Sequence, residues 1–227
     1  YGIMQKGWVR FKGGVPAIRG YRYTYPETSE GHVAGQVAKK AWVKVDVPEE
    51  LNGSGIQYWY YFRGSGEPVC APAGKYVIEE IDGKKYAFDD QGHARSGLLK
   101  INGNVYYFGL EDGDLAAVTG KCQIVEREDG TVAIYEFASS GKGLDGLKNG
   151  YFYYEGRLQT AAKGAKYDVF DVPGKGKRVI SEAGKVVKNK TVKDSSGNKW
   201  KLSSGGSILE GDTSAVAEIE GADLEEY

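Results

Sequence analysis

The feature that most constrains this chain is a spacing. A hydrophobic strand end sits four residues before a glycine at Phe62/Gly66, Phe88/Gly92, Phe137/Gly141, Ile180/Gly184 and Leu202/Gly206. Phe108/Gly113 has one extra residue, and Tyr154/Gly156 lacks two. From Gly2 to Gly206, nine such glycines make eight steps over 204 residues, about 25 each. A repeat of about 20–30 residues cannot enclose a core alone, so each copy must bury its apolar face against its neighbours.

Turn chemistry defines what each copy is. Asn102-Gly103 separates the apolar runs Leu98–Ile101 and Val105–Phe108. Asn-Gly suits a two-residue type I′ turn, whose central residues both need positive φ. Asp82-Gly83 and Asp129-Gly130 read the same way, and Asn149-Gly150 repeats the first signal. A longer loop over 48–55 joins Val43–Val47 to Trp59–Phe62, and Tyr21–Tyr25 alternates as a strand. Residues 32–42 are the one stretch where a short helix is arguable, against Gly35 and the β-branched valines. The chain has 34 Gly, 6 Pro, 17 Tyr and 7 Phe, a profile of short strands and turns with amphipathic aromatic faces. The expected fold is all-β, a solenoid-like stack of short β-hairpins over residues 1–208. An acidic segment follows over 209–227, either a solvated tail or a final strand through Ala215–Ile219.

Several function classes are disfavoured by what the sequence lacks. A net charge of −1 gives no overall drive toward nucleic acid. No run approaches the roughly 18 apolar residues of a membrane span. The chain opens on Tyr1 without a signal peptide, which reads as a mature fragment and says little about export. Cys70 and Cys122 read as two partly buried thiols, with a single disulfide as the lesser alternative. With only His32 and His93, a zinc site of nitrogen and sulfur ligands is disfavoured, and no cofactor is expected. Nucleophile, P-loop and zinc-protease motifs are all missing, and His32 and His93 read as hairpin-edge residues, so no catalytic residue is assigned. Charge is nonetheless uneven. Residues 163–201 carry eleven Lys/Arg against four Asp/Glu, read as a solvated, edge-guarding face before contact with an anionic wall polymer.

The units Gly2-Ile-Met-Gln-Lys-Gly-Trp8, Trp59-Tyr-Tyr-Phe62, Ile81-Asp-Gly-Lys-Lys-Tyr86-Ala-Phe88, Gly97–Phe108 and Gly146–Tyr154 carry a family resemblance. They resemble the cell-wall-binding repeats: choline-binding repeats of Gram-positive surface proteins, glucan-binding repeats of glucosyltransferases and the repetitive oligopeptides of clostridial toxins. The resemblance covers about residues 1–208. It implies hairpins joined by loops, ligand sites between consecutive hairpins, and a secreted or cell-surface protein. In the choline-binding members it implies aromatic cages.

This sequence departs from the cage pattern. It has four Trp, at 8, 42, 59 and 200, and later copies carry Leu98 or Leu147 where a cage needs Trp. At most one complete cage remains, from Trp42, Trp59 and Tyr61 or Tyr86. The expected ligand-binding residues are therefore Trp8, Trp42, Trp59, Tyr61 and Tyr86. Three π contacts at about 1 kcal/mol each fall short of the roughly 4 kcal/mol of millimolar binding. Choline accordingly ranks below a glycan or other cell-wall polymer as the expected partner. A spacer or interaction stalk, with every aromatic in the core, is the alternative.

Overall fold

The computed structural model describes residues 4–126, 130–222 and 224–225. Over these residues the protein is all-β, built from short antiparallel hairpins, and they form no closed barrel. Gly2, where the repeat count begins, and Asp129 of the expected Asp129-Gly130 turn lie outside the described residues.

The chain divides into two compact units. The first comprises residues up to Asn102 together with Tyr107–Ala117. Its strands are β1 (Gly7–Arg10), β2 (Tyr21–Thr24), β3 (Ala41–Asp46), β4 (Gln57–Phe62), β5 (Val77–Ile81), β6 (Lys84–Phe88) and β7 (Ala94–Arg95). They pair as β1–β2, β3–β4 and β5–β6–β7. A further hairpin, β8 (Gly97–Ile101) with β9 (Asn104–Phe108), lies where the units divide. Asn102 and Gly103 have φ of 50° and 71°, and Asp82 and Gly83 have 51° and 76°, the left-handed pair that a type I′ turn requires.

The second unit comprises Gly103–Tyr106 and Val118–Glu225. It holds β10 (Gly120–Val125), β11 (Val132–Phe137), β12 (Gly146–Lys148), β13 (Tyr151–Tyr154) and β14 (Arg157–Leu158) in one sheet of order β10-β11-β14-β13-β12. Next come the hairpin β15 (Tyr167–Val172) with β16 (Gly176–Ser181), and a three-stranded sheet of β17 (Thr191–Lys193), β18 (Lys199–Leu202) and β19 (Ile208–Glu210).

The glycine spacing corresponds to one recurring turn. After Phe62, the Gly66 N–H donates to the Arg63 carbonyl and the Arg63 N–H donates to the Glu67 carbonyl, both at 2.8 Å. The same two bonds close residues 89–93, 138–142, 181–185 and 203–207. Each turn follows a buried strand end: Phe62, Phe88, Phe137, Ile180 and Leu202 are all 3% exposed or less. The fourth turn residue must be left-handed, as Gly66 is at φ 80°. It is also buried, so a Cβ on Gly66 would lie 2.8 Å from Val37 Cγ1.

Residues 32–42 do not form a helix. Gly35 takes φ 79°, its N–H donates to the Tyr25 carbonyl, and Val37 bridges Thr24 at the edge of β2. A left-handed glycine inside the segment breaks helical geometry, and the flanking valines settle into extended pairing. Cys70 is buried, Cys122 half-buried, and both are free thiols.

In the acidic segment, the regular strand is β19; the alternating residues 215–219 are docked without one. The Ala217 N–H donates to the Val169 carbonyl at 2.7 Å. Ala217 and Ile219 pack on the cluster of Phe152, Phe170, Val172, Ile180 and Val186. Gln159, 1% exposed, donates to the Glu220 carbonyl and accepts from the Glu220 N–H, each at 2.9 Å.

Candidate functional site

The two faces of the β3–β4 hairpin have different surroundings. Strand alternation puts Tyr58, Tyr60 and Phe62 on one face and Trp59 and Tyr61 on the other. On the first face, Tyr60 and Phe62 join Ile18, Tyr23, Ala38 and Cys70 in a core, with Val43 and Val45 against it. Trp8 belongs here. Its ring lies 5.0 Å from Tyr60 and 5.6 Å from Phe62, and its Nε1 donates to the Asp46 carbonyl at 2.7 Å.

The second face carries the other aromatics proposed from the sequence. Trp42 faces Tyr61 across the hairpin, and Lys44 faces Trp59. The Trp42 ring sits 4.8 Å from Tyr86, 5.3 Å from Tyr61, 5.7 Å from Phe88 and 6.4 Å from Trp59. Tyr86 and Phe88 come from β6, so the next hairpin covers this face, and Trp42, Tyr61 and Tyr86 pack on Val69, Ile81 and Phe88. The structure thus gathers Trp42, Trp59, Tyr61 and Tyr86, and holds Trp8 on the opposite face.

Phe88 and Tyr61 close the inner side of this cluster, and a cavity of about 170 Å³ remains beside it, lined by Trp42, Trp59, Tyr86, Gly113 and Leu115. The Trp42 plane stands at 80° to Trp59 and 62° to Tyr86, so the walls meet as a box and not as a flat platform. All three rings are half-buried.

The remaining wall comes from residues 109–116, where the glycine spacing breaks. Here the five-residue turn is replaced by a longer loop, closed by Gly109 N–H to the Ala116 carbonyl and Asp114 N–H to the Glu111 carbonyl, both 3.0 Å. Gly109 is required by packing: a Cβ there would fall 1.9 Å from the Asp114 carbonyl oxygen. The Ala117 N–H donates to the Lys85 carbonyl at 2.8 Å and ties the loop end to β6. The loop places Asp112 at the rim, where one carboxylate oxygen accepts from Trp59 Nε1 and the other meets Lys44 Nζ at 2.6 Å. Those two hydrogen bonds, Lys44 first, hold the Asp112 carboxyl below its usual range, so it is ionised at neutral pH. Burial pushes the Tyr86 hydroxyl up, helped by the Asp114 and Asp82 carboxylates, so it stays neutral. Asp112, Gly113 and Leu115 are site residues that the sequence reading did not assign.

The two histidines lie apart from this box. His93 is buried, stacked 3.8 Å from Tyr58 with Nδ1 3.3 Å from Asp89. His32 stacks 3.5 Å from Tyr25 and bonds to Ser29. No cluster of His, Cys, Asp and Glu suited to a metal ion occurs among the described residues. No helix among them is long and apolar enough to cross a membrane.

No protein-family model matches the chain. Nor does any curated protein match it by sequence. Solved structures do match. The crystal structure of choline binding protein F from Streptococcus pneumoniae aligns with a TM-score of 0.57 at 21% identity, over 91% of this chain and 58% of that one. The structure of the same protein in the presence of a peptidoglycan analogue, a tetrasaccharide-pentapeptide, gives 0.56 at 21% identity with the same coverage. A third, its complex with ipratropium by soaking, gives 0.56 at 20% identity, covering 91% of this chain and 60% of that one. The chain therefore spans about three fifths of the length of these proteins. In its architecture, this chain has the hairpin-repeat fold seen in the choline-binding proteins.

Proposed function

We propose that the protein is a non-catalytic attachment module of a secreted or surface protein, holding a cell-wall polymer by a quaternary ammonium group seated between Trp42, Trp59 and Tyr86. The observation that carries this reading is the box itself: three aromatic faces around 170 Å³, with an ionised Asp112 at the rim. A positive, weakly hydrated head group is attracted to π faces at about 0.5–2 kcal/mol per ring, and it needs faces on several sides. A sugar ring stacks instead on one open face. The volume also falls below the roughly 300–1,000 Å³ of clefts for whole drug-sized ligands, so it suits a head group and not an oligosaccharide.

Asp112 adds only a little to the balance drawn from the sequence alone. Three π contacts of about 1 kcal/mol each reach about 3 kcal/mol, just short of the roughly 4 kcal/mol of a millimolar complex. A carboxylate near the cation adds attraction that a neutral cage lacks, though an exposed one, shared with Lys44, adds little. Single-site binding in the millimolar range is the expected strength. Likeness in fold to choline binding protein F supports the reading. The test is co-sedimentation with wall polymer bearing choline and with the same polymer stripped of it. Retention on the first alone, reversed by free choline, is expected. Equal retention on both would replace the ammonium reading with a glycan one.

A further inference from the structure

The segment that follows β19 lies on the second unit as an extended chain without forming a regular strand. It is held largely through its backbone. The Asp212 carbonyl accepts from Trp200 Nε1 and the Thr213 carbonyl from Lys177 Nζ. The Ala217 N–H reaches the Val169 carbonyl on the outer edge of β15, a strand that pairs with β16 on its other side. Glu220 gives both backbone groups to the Gln159 side chain, and its carboxylate meets Arg157 Nη2 at 2.6 Å. Main-chain contacts along a sheet edge, with places for alternate side chains, are how sheets take up extended peptides.

The groove is built independently of its occupant. The buried Gln159 amide also donates to the Arg157 carbonyl at 3.0 Å, which fixes its orientation. Glu126 holds the Arg157 guanidinium through two bonds, of 2.9 and 3.1 Å. Groups ordered before binding lose little freedom when a ligand arrives. The occupant is held far less firmly. Ser214, Ala215, Val216, Glu218 and Glu220 are exposed, while Ala217 and Ile219 pack on the apolar cluster below. A segment with so few apolar contacts opens locally at a small fraction of the global unfolding cost. Nor does it fill the groove. A cavity of about 270 Å³ remains beside it, lined by Glu218 together with Arg157, Thr160, Lys163 and Phe170.

We infer that this groove is a recognition site for an extended acidic peptide of a partner protein, and that residues 212–221 are a resident strap which that peptide displaces. The pattern read is two apolar side chains, two residues apart, followed directly by a carboxylate, as in Ala217, Ile219 and Glu220. Lys177 and Arg157 contact the strap near its two ends, so the groove favours an acidic chain over a basic one. The strap matches this polarity, since residues 209–227 hold seven acidic residues and no basic one. The unfilled cavity points to a different protein. A second copy of this chain would bring the same Glu218 and leave the cavity as it is. A larger side chain at that position occupies it and outcompetes the strap. This site shares no residue with the aromatic box and stands or falls without it.

The test is fluorescence anisotropy with a labelled peptide of residues 212–222. The full chain carrying Ala217→Asp and Ile219→Asp releases its strap and leaves the groove intact. It should bind the peptide at least about tenfold more tightly than the parent chain, whose tethered strap competes at an effective concentration of about millimolar. Adding Gln159→Ala should weaken peptide binding about 30-fold, through the loss of two hydrogen bonds. A peptide with Glu218→Tyr should bind more tightly than the native one, and one with Glu220→Lys at least about tenfold more weakly. In the parent chain, excess peptide should speed exchange of the protein's Ala217 amide, a reading that does not depend on how the variants fold. Equal affinity for the parent and the released chain, or an Ala217 amide unmoved by excess peptide, would overturn the inference. Weaker binding of the Glu218→Tyr peptide, or dimerisation of the parent by exchange of the strap, would overturn its assignment to a separate partner.

Discussion

Replacing Gly66 by Ala should cost far more than replacing Gly83, although both are left-handed, at φ 80° and 76°. An L side chain in this region costs about 1–2 kcal/mol. Loss of unfolded-state freedom returns about 0.4–1 kcal/mol. Gly83 sits at an open hairpin tip, where a Cβ meets nothing within 4 Å, so Gly83→Ala should destabilise by about 0.5–1.5 kcal/mol. At Gly66 the same atom falls 2.8 Å from Val37 Cγ1 and 3.2 Å from Arg22 Cδ. Overpacking of this kind adds about 1–3 kcal/mol, bringing Gly66→Ala to about 2–4 kcal/mol. Both positions belong to the first compact unit, so urea unfolding followed by fluorescence compares them within the same part of the chain. Equal midpoints for the two variants would refute the reasoning, because backbone strain alone would then explain the spacing.

Two further outcomes follow from particular polar contacts. Burial pushes the Glu67 carboxyl up, but the hydrogen bond and charge of Arg22, joined by Lys12, outweigh it and hold it below its usual value of 4.5. A depressed folded pKa contributes stability above 4.5 that is lost as pH falls through the folded value. Glu67→Gln should therefore lower the urea midpoint at pH 7, and the gap to the parent should close as pH falls toward about 2; a gap independent of pH would contradict this. Gln159→Ala removes two hydrogen bonds to Glu220, worth about 1 kcal/mol each, so the docked segment should open about 30-fold more often. Exchange of the Ala217 amide, bonded to Val169, reads this directly, and an unchanged rate would show that Ala217 and Ile219 hold the segment without Gln159.

What the sequence made legible was local. The Asn102-Gly103 and Asp82-Gly83 turns are set by which residues tolerate positive φ, and the glycine spacing by a turn contained in five residues. The aromatic run Trp59–Phe62 read as the strand that returns from the loop over 48–55. It could not show which face opens to a cavity. Trp8 and Trp59 look alike in sequence, yet one stands over Tyr60 in a core and the other lines the box. Asp112 was hidden for a related reason. Its partners, Lys44 and Trp59, lie 68 and 53 residues away, and pairing over such distances leaves no trace in periodicity. The trace it did leave was the extra residue between Phe108 and Gly113. The irregular copy, not the regular ones, marked the loop that completes the site.

The central claim is tested most directly by the indole N–H resonances of the four tryptophans in a nitrogen-15 correlation spectrum during a choline titration. Trp42 and Trp59 line the box, while Trp8 and Trp200 donate to the carbonyls of Asp46 and Asp212 within packed cores. The account predicts saturable shifts of the Trp42 and Trp59 signals in the millimolar range, with Trp8 and Trp200 unmoved. Four stationary signals at high millimolar choline, or shifts confined to Trp8 and Trp200, would contradict it.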